Sequence, residues 1–298
     1  MDVERPRGRP LMPVTMVDDV RIHFEVTGDE RGEPLVLIGG GATQLIDWRD
    51  EFVDLLVAEG FQVIRFDHRD TGLSQRFGGV GDVDGGYSVA EAAEDVLRIL
   101  DTIGLPSAHL AGHSMGAIMA QYLALDHAHR VRSIVLLSSI PGLDPVYLSA
   151  AEAATAESTP VAAEALARED AIEQFVGYQR SMHAPAFEFD EEDERRHAAR
   201  QIDRGYEPNG FLRHGAALVR ATDRLERLRS LSIPVAVVHG SEDTLLLPLA
   251  AELTAEAVPG AELRIFEGMG HRLERTLWPD YVDIIVRTAR RATGGTDA

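Results

Sequence analysis

One pentapeptide constrains this chain more than any other feature: Gly112-His113-Ser114-Met115-Gly116. It is a G-x-S-x-G match between an apolar run over residues 108–111 that reads as a strand and a run over 117–125 that reads as a helix. A chain passing from strand to helix through one serine must turn sharply there. Glycines on both sides permit the strained backbone and a close approach of helix to strand. The turn pushes the serine hydroxyl out of the fold, which makes Ser114 a candidate nucleophile. A glycine-rich turn with an incidental serine would explain the glycines, but not the strand before and the helix after.

A nucleophilic serine needs a base, and the base needs an acid to orient it. Residues 234–239 read as a strand followed by Gly240-Ser241-Glu242-Asp243; residues 261–266 read as another, followed by Glu267-Gly268-Met269-Gly270-His271. Asp243 is the candidate acid, with Glu242 its adjacent rival, and His271 is the candidate base. Each lies just past the C-terminal end of a strand, the edge where open α/β sheets hold their ligands. Alone, Asp243 would also suit a turn or a helix N-cap, and His271 is one of 11 histidines. The ordered set of three is what points to catalysis.

Acyl transfer also requires N–H donors aimed at the developing oxyanion, and losing one costs roughly 10²- to 10³-fold in rate. Met115, directly after the nucleophile, is one candidate oxyanion-hole donor. Gly40 or Gly41, in the run Gly39-Gly40-Gly41 after the apolar residues 35–38, is the other. A phosphate-binding loop does not account for that run. No G-x-G-x-x-G or G-x-x-x-x-G-K-[ST] follows, and the chain has no lysine.

Strands expected at 14–17, 20–26, 35–38, 62–66 and 133–137 alternate with helices expected at 51–58 and 89–103. In the second helix Val89, Ala92, Ala93, Val96, Leu97 and Leu100 keep helical spacing. The run 246–257 also reads as a helix. The alternation predicts an α/β fold with a mostly parallel sheet covered by helices on both faces. Between Gly142 and Arg229 strand signals vanish, and helix-like stretches fall at 149–156, 169–182, 191–205 and 211–222. Residues 1–142 and 229–298 are therefore expected to form the core, and 143–228 a helical cap over the strand ends. Phe175, Tyr178, Phe187, Phe189, Tyr206 and Phe211 are candidates either for an apolar pocket wall or for packing inside the cap. The charged run 190–196 reads as a solvated helix face. Residues 67–72 (DHRDTG) read as the turn after a strand, with Asp67 and Arg69 in structural hydrogen bonds and His68 a lesser candidate for the pocket edge.

Taken together, residues 39–52 (GGGATQLIDWRDEF), 67–74 (DHRDTGLS), 112–121 (GHSMGAIMAQ), 240–243 (GSED) and 268–271 (GMGH) resemble the α/β-hydrolase-fold serine esterases, in particular the aclacinomycin methylesterase-like branch. The order Ser114, Asp243, His271 is that of the α/β-hydrolase triad. The resemblance implies hydrolysis of a small-molecule carboxylic ester, such as a polyketide methyl ester, with no metal or organic cofactor. Two residues depart from the pattern: Ala117 stands where many relatives have glycine, and Arg272 where an acidic residue is frequent. Lactone, amide and carbon–carbon bond hydrolysis use the same triad and remain open, as does a non-catalytic ligand-binding role. Haloalkane dehalogenases and epoxide hydrolases normally use an aspartate nucleophile, and Ser114 counts against both.

Composition excludes other classes. The formal net charge of −20 argues against nucleic acid and anionic membrane surfaces as partners. With no cysteine, thiol catalysis, disulfides and cysteine metal sites are ruled out. Residues 1–10 lack the apolar stretch of a signal peptide, and no apolar run approaches the ~20 residues of a membrane span. The sequence thus predicts a cytoplasmic enzyme acting on a small molecule.

Overall fold

The structure is a computed structural model that describes residues 14–17, 20–79, 81–150 and 162–294. Eight strands form one sheet: β1 (Val14–Val17), β2 (Val20–Thr27), β3 (Glu33–Ile38), β4 (Phe61–Phe66), β5 (Ala108–His113), β6 (Val131–Leu137), β7 (Val235–Gly240) and β8 (Glu262–Phe266). Their spatial order is β1-β2-β4-β3-β5-β6-β7-β8. The β1–β2 and β2–β4 pairs are antiparallel, and every pair from β4 to β8 is parallel.

The parallel strands are apolar at successive positions because both sheet faces are covered. In β3, Val36 and Ile38 enter one core, with Leu35 and Leu37 in the other. In β7, Val235 and Val237 join the first core and Ala236 and Val238 the second. Helices α2 (Val89–Thr102) and α3 (Met115–Asp126) cover the first face. Helix α1 (Asp50–Ala58) and the C-terminal helix α9 (Trp278–Ala292) cover the second. Helix α2 begins at a capping box in which Ser88 and Glu91 satisfy each other's backbone N–H groups. Its buried stripe follows the expected spacing, except that Ile99 is buried and Leu97 stands at the border.

Between β6 and β7 the described elements are helical: α4 (Arg168–Ser181), α5 (Glu191–Gly205), α6 (Gly210–Val219) and the short α7 (Leu225–Leu228). Of the helix expected over 149–156, residues 151–156 lie outside the described residues. The helix expected from 246 starts later, as α8 (Pro248–Ala257). Leu246 instead bridges to Leu148, and its N–H is taken by Asp243. Helices α4 and α5 share a small core of Ile172, Val176 and Ala198, against which Phe175 and Phe189 pack. The charged run at the start of α5 is solvated at Glu191 and Glu192 but not at Glu194, which is 4% exposed. Glu194 Oε1 pairs with Arg49 at 3.1 Å and with Arg272 at 2.6 Å, so α5 is tied to the loops after β3 and β8.

Candidate active site

Ser114 joins β5 to α3 at φ 53° and ψ −118°. A non-glycine residue held there stores on the order of 1–3 kcal/mol, which the surroundings must offset. Ser114 N–H donates to Leu137 O at 2.9 Å, and Ser114 O accepts from the N–H groups of Ala117 and Ile118. The flanking glycines are dictated by contact. A Cβ on Gly112 would stand 2.4 Å from Gly116 O, and one on Gly116 would stand 2.2 Å from Ile38 O. The start of α3 is thus pressed against the exit of β3, and Met115 and the glycine run line one cavity.

The loops carrying Asp243 and His271 are joined by main-chain contact. A Cβ on Gly240 would lie 2.1 Å from Met269 O, so only glycine lets the loop after β8 cross the end of β7. Ser241 N–H donates to Phe266 O at 3.0 Å and Glu242 N–H to Met269 O at 2.9 Å. This register turns Glu242 to solvent and Asp243 inward. Asp243 Oδ2 accepts from His271 Nδ1 at 2.8 Å. Its Oδ1 accepts from Leu245 N–H at 2.9 Å and Leu246 N–H at 3.0 Å, so Asp243 also fills the turn role that its position suggests. Burial pushes the Asp243 carboxyl up, but His271 and His239 beside it, with their hydrogen bonds, more than offset burial and hold it well below the usual carboxylate range.

Two histidines absent from the sequence reading support this arrangement. His239, fully buried at the end of β7, has Nε2 3.0 Å from Leu246 O and 3.2 Å from Asp243 Oδ2. Both neighbours accept, so Nε2 carries the proton. His113, beside the nucleophile, donates from Nε2 to His271 O at 2.9 Å. Burial, reinforced by His271, lowers the His113 pKa from 6.5 to about 3 and keeps the ring neutral. His113 thus ties the strand that leads into Ser114 to the main chain of His271.

Ser114 and His271 line one cavity of about 960 Å³ together with Gly40, Gly41 and Met115. No hydrogen bond joins the Ser114 and His271 side chains, a bond often long before substrate is in place. In the loop after β3, Gly39 O accepts from His68 Nε2, Gly40 O from Thr43 Oγ1, and Ala42 N–H donates to His214. The N–H groups of Gly40, Gly41 and Met115 have no partner among the described residues. A Cβ on Gly40 would crowd His113 Nδ1 at 3.2 Å, whereas Gly41 faces open space. The residues brought together can therefore supply a nucleophile, an oriented base and free N–H donors at one surface.

Of the six aromatics considered for the pocket, Tyr178 and Phe211 line the cavity. Phe175 and Phe189 pack in the small core of α4 and α5, and Phe187 against the second sheet core. His68 lies behind the loop, 3% exposed, rather than on the cavity wall. Asp67 and Arg69 make the structural bonds expected: Asp67 with Leu45 N–H, Leu73 N–H and Arg204, Arg69 with Asp95. Arg272 bonds Glu194 and stands over the Phe189 ring.

The chain belongs to the alpha/beta hydrolase fold family, whose model matches residues 33–273. Among its relatives, the rhodomycin D methylesterase DnrP of Streptomyces peucetius is 31% identical over 304 residues, covering 95% of this chain and 100% of the relative. DauP, the rhodomycin D methylesterase of Streptomyces sp. (strain C5), is 30% identical with the same coverage. Est816, whose structure is described as that of an N-acyl homoserine lactone degrading enzyme, is 27% identical with a TM-score of 0.69, covering 92% of this chain and 98% of its own.

Proposed function

We propose that this protein is a serine esterase that cleaves a methyl ester on a large, mostly apolar small molecule. The observation that carries the reading is the Asp243–His271 hydrogen bond on the wall of the cavity that also holds Ser114 and the unclaimed N–H groups. With Nδ1–H committed to Asp243, His271 presents Nε2 as the base. It takes the Ser114 proton as Oγ attacks the ester carbonyl, and Asp243 stabilises the imidazolium. The oxyanion is held by Met115 N–H and by Gly40 or Gly41 N–H. His271 protonates the leaving alkoxide, then activates the water that hydrolyses the acyl-enzyme. This chemistry draws on no metal or organic cofactor.

The substrate assignment leans on the full-length likeness to the rhodomycin D methylesterases and on a cavity larger than a short-chain ester needs. Residues 143–228 act as the cap, a reading supported by Tyr178, Met182, Phe211 and Leu212, which line the same cavity as Ser114. Lactone hydrolysis is the second reading, favoured by the likeness to Est816. The acidic surface and lack of cysteine suit a cytoplasmic enzyme with a small-molecule partner. Among the described residues no helix is long and apolar enough to cross a membrane.

The test is Ser114→Ala with a panel of polyketide methyl esters, short p-nitrophenyl esters and acyl lactones, read by product release and by fluorophosphonate labelling of the wild type. Ser114→Ala should fold normally and lose on the order of 10⁴-fold or more in turnover. Near-normal hydrolysis by the folded variant, or a wild type that neither hydrolyses nor takes the label, would overturn the reading.

A further inference from the structure

The loop carrying Gly40 and Gly41 is gripped from two sides by buried imidazoles. From the sheet side, His68 Nε2 donates to Gly39 O at 2.9 Å. From the helical insert, His214 on α6 accepts the Ala42 N–H through Nδ1 at 2.8 Å. The opposite nitrogen of His214, Nε2, lies 2.7 Å from Arg69 O and must donate to it. These two bonds fix one neutral tautomer, with the proton on Nε2 and a bare Nδ1. Burial lowers the His214 pKa despite the bond to Arg69 O, consistent with that neutral form. A protonated ring would set an N–H against the Ala42 N–H.

Ala42 sits at φ 62°, where a non-glycine residue needs external support. Further tethers come from the core side, Thr43 Oγ1 to Gly40 O, Asp47 to Gln44 N–H and Asp67 to Leu45 N–H, while α5 holds the Gln44 side chain through Gln201 O, Gly205 O and Arg204. His214 is the tether on Ala42 itself, one peptide beyond Gly41. Helix α6 is fixed where it does this. The adjacent Arg213, fully buried, pairs with Asp70 at 2.8 Å and donates to Gly79 O and Asp82 O.

We propose that His214 is a positioning residue: by accepting the Ala42 N–H it sets the peptides bearing the Gly40 and Gly41 N–H groups, so the helical insert completes the oxyanion site as well as roofing the cavity. This rests on the serine esterase reading. A misaimed oxyanion donor weakens the transition state more than the bound ester, so its loss falls on kcat rather than KM.

Two variants separate the two ends of the ring. His214→Gln reaches the Nε2 position and can still donate to Arg69 O, but offers no acceptor to Ala42. His214→Asn restores an acceptor where Nδ1 stood and gives up the Arg69 bond. Each forfeits one buried hydrogen bond, so a merely structural role would lower the Tm and kcat of both alike. With p-nitrophenyl acetate, His214→Gln should lose roughly 10- to 100-fold in kcat with KM changed by no more than about threefold, and His214→Asn should recover about tenfold of that loss. Equal kcat in the two variants, or a loss confined to KM, would overturn the proposal. In the wild type, the Ala42 amide should exchange its hydrogen at least about 100-fold more slowly than a free loop amide. Exchange at the free rate overturns the proposal even if neither variant folds. Activity surviving in Ser114→Ala would remove the esterase reading and this proposal with it, through a different variant.

Discussion

Replacing Asp243 by asparagine tests the triad most sharply, because the structure dictates which way the new amide must face. One carboxylate oxygen accepts from the fixed main-chain N–H groups of Leu245 and Leu246 at 2.9 and 3.0 Å. The other faces His271 Nδ1 at 2.8 Å and His239 Nε2 at 3.2 Å. If the amide nitrogen turned toward the backbone, two buried donors would lose their acceptor, at about 1–3 kcal/mol each. The asparagine oxygen therefore stays on the backbone, and the NH₂ faces the two imidazoles. His239 cannot adapt, since its proton is also held by Leu246 O at 3.0 Å. His271 must then accept at Nδ1, which moves its proton to Nε2, the nitrogen that should receive the Ser114 proton. Restoring the productive tautomer costs about 5.5 kcal/mol, equivalent to the roughly 10⁴-fold loss seen when a triad aspartate is so replaced. The assay is kcat and KM on a p-nitrophenyl ester alongside Tm: kcat should fall by about 10⁴ with KM within a few-fold. A folded Asp243→Asn protein within tenfold of wild-type kcat would refute the argument. Glu242→Gln is the control, because Glu242 is exposed and should tolerate the change.

Gly116→Ala should cost several-fold or more in activity and lower the Tm, because the added methyl would stand 2.2 Å from Ile38 O and force α3 away from β3; wild-type Tm and kcat would show that the elbow has slack. Stability should fall as the solution is acidified. Burial lowers His68 to about 3 and His113 to about 3, and burial with Arg132 nearby lowers His109 to about 4, all from an ordinary 6.5. Below pH 6.5 the unfolded chain takes up protons that the folded one refuses. The contribution of these neutral rings is therefore complete above 6.5 and lost toward pH 3–4, at up to about 1.4 kcal/mol per pH unit for each ring. A urea midpoint that does not move between pH 7 and 4.5 would contradict this.

The fold and the three candidate catalytic residues were legible because each follows a strand, and a strand's end is a local signal. Ser114 was marked by glycines that the structure shows to be contact points, and His271 by its distance past β8. The reason Asp243 rather than its rival Glu242 turns inward was not legible, because it depends on Gly240 letting Met269 cross β7, a contact between distant segments. His113, His214 and His239 escaped for the same reason: their roles lie in partners on other elements, and no periodicity marks them. Glu194 looked solvated within its charged run, since its arginine partners come from two distant loops. The four aromatics of the insert that do not line the cavity could not be told from Tyr178 and Phe211, because spacing alone does not say which face of a helix meets the sheet. Helix α9 was missed despite a usable signal. Trp278-Pro279 opens it, and Tyr281, Val282, Ile284, Ile285, Thr288 and Ala289 fall on its buried side.

The seating of Gly116 on the end of β3 has a bearing on how such an enzyme diversifies. Gly116 meets the main chain of Ile38 and Gly39 directly, so the seam between α3 and the start of the glycine run is gauged by bare backbone, while His214 holds the peptides further along the run. Helix α4 can then be remodelled for new substrates without disturbing that seam. Helices α5 and α6 do not share that freedom, because Gln201 O, Gly205 O and Arg204 hold Gln44, His214 reaches the glycine run and Arg213 anchors α6 to Asp70. An engineer transplanting part of the insert from a relative would do best to cut on the N-terminal side of α5 and keep the native α5 and α6, so that the graft imports a new pocket wall without discarding the struts beneath it.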